Sequence, residues 1–111
     1  MKDDAVCLRH ILECIRRIEE DTADGREAYL ASHTIQDAVL RNLQTLAEST
    51  QRLSDAAKAA HPETDWRRIA AFRNGLVHAY LGIDLETIWG IVRQDVTDLK
   101  QVIAAMLEKK T

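Results

Sequence analysis

Proline is almost missing from this chain: Pro62 is the only one in 111 residues. An interior proline breaks or kinks a helix, so long helices can run undisturbed on either side of it. Glycine is also scarce, at four, and strand-like alternation is hard to find. An all-β chain needs many tight turns, and the favoured ones use glycine. Aromatic residues make up only 5%, so the core has to be aliphatic. No run approaches the roughly 18 apolar residues of a membrane-spanning helix. No charged-then-apolar leader opens the chain. The expectation is a soluble, cytoplasmic protein with no membrane partner. Cys7 and Cys14 are the only cysteines. On one helix they would share a face with about 10 Å of rise between them, too far for a disulfide. They read as reduced core residues. A strong charge of one sign is absent too, since 15 basic and 18 acidic residues leave a net charge of −3. That argues against a coat for long nucleic-acid duplexes, which is usually basic. It leaves room for a small local phosphate site, and Arg67, Arg68 and Arg73 do lie close together.

What remains is 46% hydrophobic residues, enough for one core and one domain spanning 1–111. They recur at three-and-four spacing, the signature of amphipathic helices. Leu8, Ile11, Leu12, Ile15 and Ile18 form the first stripe, with Asp3 or Asp4 as its cap. A break at residues 21–25 precedes a short helical turn, roughly Arg26 to Leu30. A second long helix starts at Ser32 or Thr34. Its stripe is Ile35, Val39, Leu43, Leu46, Thr50, Leu53 and Ala57, and it ends at His61-Pro62, because the residue before proline resists helical geometry. Glu48 sits close to that stripe, where a carboxylate reaches solvent or pairs with a base. Thr64 or Asp65 caps a third helix from Trp66 to about Asn74. Asp84 caps the last, which runs from Leu85 to about Lys109 on Ile88, Trp89, Val92, Val96, Leu99, Ile103, Met106 and Leu107. The fold class is all-α, an up-and-down bundle of four main helices plus the short turn.

One octet breaks the regular pattern: Arg73-Asn74-Gly75-Leu76-Val77-His78-Ala79-Tyr80. Arginine is a fixed cation whose planar fork suits phosphate. Histidine can take and give a proton near neutral pH. These parts suit RNA cleavage without a metal or cofactor. The 2′-hydroxyl attacks the adjacent phosphate, His78 acts as base or acid, and Arg73 stabilises the added charge. One histidine is sparse for two proton roles, so a second His78 from a symmetry mate would complete the site. On an unbroken helix Asn74 and His78 lie four apart, close enough for the amide to orient the imidazole. Alternatively Gly75 bends the chain and brings Arg73 and His78 together. The plainer reading is structural: Arg73 pairs with Glu48 or Asp84, and His78 caps a helix. Cys7, His10 and Cys14 also share a helix face, but they offer three ligands where structural zinc normally takes four. No P-loop, H-E-x-x-H, di-iron E-x-x-H pair or G-x-S-x-G occurs.

Arg73-Asn74-x-x-x-His78-x-Tyr80 resembles the R-x-x-x-x-H-x-Y signature of the HEPN superfamily, specifically its HepT-like toxins. The likeness extends to Arg41-Asn42-Leu43, Ala47-Glu48, Trp66-x-x-Ile69, Ile83-Asp84 and Ile88-Trp89. It implies an HEPN-like helical bundle and a homodimer with a composite site. It implies a type VII-like toxin–antitoxin pair in which Arg73 and His78 are catalytic on RNA, with Asn74 and Glu48 in support. It also implies that Tyr80 accepts AMP from a partner enzyme, a minimal nucleotidyltransferase antitoxin, which silences the toxin. The sequence departs from the family at Ala47 and Ala71, where glycine is frequent, and this bears on helix packing near the site. The competing function is a non-catalytic helical module that binds a nucleotide or the nucleotidyltransferase, with Tyr80 only an acceptor.

Overall fold

The long apolar stripes of the sequence fall mostly on buried helix faces in the computed structural model, which describes residues 2–73 and 84–110. In chain order the helices are α1 (Lys2–Asp21), α2 (Arg26–Ala31), α3 (His33–Gln51), α4 (Asp55–Ala59), α5 (66–73), α6 (Leu85–Gly90) and α7 (Val96–Lys110). A π-helical turn, Ile91–Asp95, joins α6 to α7, so the last three segments form one continuous helix. The described residues contain no strand. The protein is an all-α helical bundle, as its patterning predicts. Among the described residues no helix is long and apolar enough to cross a membrane.

The core is mainly aliphatic, with Tyr29 and Phe72 as its buried aromatic side chains. Leu8, Ile11, Ile15 and Ile18 of α1 meet Val39, Leu43 and Leu46 of α3 and Ile103 of α7, all of them shut off from solvent. Burying a side chain of this size contributes about 1.5–3 kcal/mol. α1 therefore acts as the central helix, packed along both α3 and α7. Cys14 joins this core, and burial pushes its thiol up. His10 is drawn to Ser49 of α3, Nδ1 to Oγ at 2.5 Å. Among the described residues no group of His, Cys, Asp and Glu is arranged to hold a metal ion. The short α2 contributes more than its length suggests. Tyr29 is fully buried, its hydroxyl donates to the Leu85 carbonyl at 3.0 Å, and its ring lies 5.2 Å from that of Trp89.

Three of the expected caps are present. The Ser32 hydroxyl accepts from the Ile35 amide, Asp65 accepts from the Arg68 amide, and Asp84 accepts from the amides of Glu86 and Thr87. Two expectations need correction. Asp4 does not cap α1; it lies inside the first turn, buried, and reaches across to Ser54. The second long helix does not run to His61-Pro62. It stops at Gln51, and Ser54 caps the separate α4 through the Ala57 amide. The two corrections have one cause. The Asp4 carboxylate accepts from the Ser54 amide at 2.9 Å and from its hydroxyl at 2.7 Å, which holds the chain in a turn where α3 would otherwise continue.

Candidate active site

The site is built on α5, and three anchors fix that helix. Asp65 caps its start. The Trp66 indole donates to the carbonyls of Lys58 and His61, tying α5 to the end of α4. The guanidinium of Arg68 forks onto Asp95 in the π turn, with both hydrogen bonds at 3.0 Å. Such bidentate pairing sets orientation as well as adding attraction. Ile69 and Phe72 point into the core, so Arg73 emerges on the exposed side.

Arg73 faces the end of α3. Its Nε lies 3.7 Å from Glu48 Oε1, and both side chains are about half exposed, at 51% and 42%. At that separation the pair is an electrostatic contact rather than a hydrogen bond. An ion pair this open to water is worth about 0–1 kcal/mol. Arg73 therefore remains available to a stronger anion. Around the pair lies an open recess of about 450 Å³, lined by Glu48, Gln51, Arg52 and Arg73. Of the residues singled out in the sequence, the structure brings Arg73 and Glu48 together, which is also the pairing the structural reading foresees. Asn74, His78 and Tyr80 lie outside the described residues.

Sequence reasoning did not pick out Gln51 and Arg52. A signal was present, because Arg52 stands four residues after Glu48, the spacing of neighbours along one helix face. The spacing alone suggests a Glu48–Arg52 pair, whereas the structure pairs Glu48 with Arg73, 25 positions further on.

The sequence of residues 11–106 matches the family model described as Ribonuclease HepT-like. The chain belongs to the HepT-like ribonuclease family. A protein of Thermococcus cleftensis named "Probable ribonuclease HepT" is 37% identical over 94 residues, which cover 84% of this chain and 86% of that one. A Methanocaldococcus jannaschii protein, named as a gamma-glutamylcyclotransferase and candidate RNase, is 34% identical over 109 residues. Those residues cover 97% of this HepT-like chain but only 49% of that relative's length. A candidate RNase of Caldanaerobacter subterraneus subsp. tengcongensis is 27% identical over 111 residues, 99% of each chain. No solved structure matches.

Proposed function

We propose that this chain is a metal-independent endoribonuclease, the toxin of a toxin–antitoxin pair. One observation carries the reading: in a HepT-like chain, Arg73 stands half exposed at the rim of an open recess, and His78 follows five residues later. The relatives' names, ribonuclease HepT and RNase, point the same way.

The chemistry follows from the parts. The 2′-oxygen of one nucleotide loses its proton to a base and bonds to the adjacent phosphorus. The bond from phosphorus to the 5′-oxygen breaks, and that oxygen takes up a proton. Arg73 neutralises the charge that builds on the phosphoryl oxygens, a role typically worth 10²- to 10³-fold in rate. His78 transfers one proton, and the His78 of a second copy transfers the other, so the working unit is a homodimer. Asn74 orients the imidazole and Glu48 orients Arg73. A minimal nucleotidyltransferase antitoxin silences the toxin by adding AMP to Tyr80. The added phosphate would compete for Arg73, so inhibition is electrostatic and steric together.

The test is cleavage of a labelled single-stranded RNA in excess chelator by the wild type, Arg73→Ala and His78→Ala. The wild type cleaves; each variant, still folded by circular dichroism, loses at least about 100-fold. Wild-type activity in both variants would remove these residues from the chemistry. A wild type that cleaves nothing would leave the second reading, a nucleotide- or antitoxin-binding module. The Arg73–Glu48 ion pair favours that alternative to the extent that it occupies the arginine. Tyr80→Phe should cleave RNA yet gain no AMP mass when incubated with the nucleotidyltransferase, ATP and magnesium. AMP mapped to another residue would reject the role of Tyr80.

A further inference from the structure

Arg73 has a difficulty as an anion site. Glu48 lies 3.7 Å from its Nε, so the pair alone is close to neutral and would draw a phosphate diester only weakly. The recess around the pair is not neutral, because Arg52 lines it as well. Arg52 is exposed, and among the described residues its guanidinium has no acidic partner within ion-pair distance. The described residues that line the recess thus carry one net positive charge, on a chain whose overall charge is −3. Gln51 stands beside Arg52 on the same wall, and its amide can both donate to a phosphate oxygen and accept from a ribose hydroxyl.

We infer that Arg52, assisted by Gln51, is a second RNA-backbone contact, holding a phosphate next to the one Arg73 faces. The inference deepens the ribonuclease reading and rests on it for the identity of the ligand. The backbone amide of Arg52 closes the end of α3 on the carbonyls of Ser49 and Thr50, which fixes where its side chain starts. An arginine at a helix C-terminus is also favoured by the helix dipole alone. That role would affect thermal stability and leave RNA affinity and its salt dependence unchanged.

The probe is a fluorescent single-stranded 2′-O-methyl oligoribonucleotide, which lacks the attacking hydroxyl and so reports binding without cleavage. Anisotropy titrations across a range of salt concentrations compare the wild type, Arg52→Ala, Arg52→Lys and Gln51→Ala. Loss of one phosphate contact on a single strand lowers the slope of log affinity against log salt by about 0.7. Arg52→Ala is expected to show that drop and to bind about tenfold more weakly, beyond the small loss of thermal stability that the dipole contact alone accounts for. Arg52→Lys is expected to restore the slope and part of the affinity, because lysine keeps the charge but not the fork. A parallel cleavage assay on ordinary RNA separates the two readings. If the wild type binds but does not cleave, the nuclease reading fails while the Arg52 contact is still judged by its slope. If Arg52→Ala binds with wild-type affinity and slope, the inference is overturned whatever the cleavage result. A wild type that neither binds nor cleaves overturns both.

Discussion

Tyr29 shows how strongly one buried hydroxyl conditions this protein. Its ring is sealed in the core, and its hydroxyl has one carbonyl to serve, that of Leu85. Burial first, and then the charges of Glu86 and Asp84, push the phenol up to about 12 from its ordinary value near 10. The sign follows from which state holds the proton. Below pH 10 the phenol is protonated in both folded and unfolded chains, and its contribution is fully present. Between about pH 10 and 12 the unfolded chain gives up its proton first, so stability falls as pH rises. A rise from 10 to about 12 corresponds to about 3 kcal/mol at the alkaline limit. Tyr29→Phe is expected to cost about 1 kcal/mol at neutral pH, for the lost hydrogen bond. Its stability should then decline less steeply above pH 10. Urea midpoints for both proteins at pH 8, 10 and 11 check this, and parallel curves would refute it. Glu48 offers a second test at the same scale. Glu48→Gln keeps the shape and removes the charge beside Arg73. With one opposing charge gone, RNA should bind more tightly. With the arginine less firmly oriented, turnover should drop about tenfold. Unchanged steady-state constants would take Glu48 out of the site.

Among the elements, the boundaries that were legible are those set by near neighbours. Ser32, Asp65 and Asp84 each cap a helix through an amide two or three residues away, so the signal sits in the local sequence. The end of α3 was not legible. Apolar spacing carries on through Leu53 and Ala57 as though the helix continued, and the residue that stops it, Asp4, lies 50 positions away. The π turn left a trace that becomes readable once it is known. Ile88, Val92 and Val96 follow one another at two successive spacings of four. On an ideal α-helix that stripe would drift by about 80°. The wider π repeat absorbs the drift, keeps all three side chains buried, and leaves Asp95 facing Arg68. Asp4→Ala should destabilise the fold by about 2–3 kcal/mol, since it removes a buried carboxylate that accepts from two groups of Ser54. Chemical denaturation measures this, and a change under about 0.5 kcal/mol would contradict it. Asp95→Ala frees Arg68 on an exposed face and should cost at most about 1 kcal/mol in stability. Its larger effect should fall on cleavage, because Arg68 anchors the helix that carries Arg73.

For the whole molecule, the pattern of long stripes was enough to give the all-α bundle, since hydrophobic spacing encodes which face is buried and little else is needed to pack α1 against α3 and α7. Half the candidate site was legible in a different way. Arg73 and Glu48 stand out as chemistry-bearing residues, yet only packing could bring helix residues 25 positions apart to one recess. Arg52 carries no signal of its own, because one more exposed arginine on a helix looks like any other until its neighbours in space are known. The proposed homodimer is tested by sedimentation at micromolar concentration, where this chain is expected at twice its mass of 12.6 kDa. A monomer there would refute the composite site.

The grip of Asp4 on Ser54 also bears on how variants of the protein should be read. Ser54 lies two residues beyond Arg52, so the first turn of α1 is fastened to the corner from which the recess wall rises. A substitution that displaces the first turn of α1 would move that corner too, so a loss of cleavage in such a variant would report a displaced wall rather than a missing catalytic group.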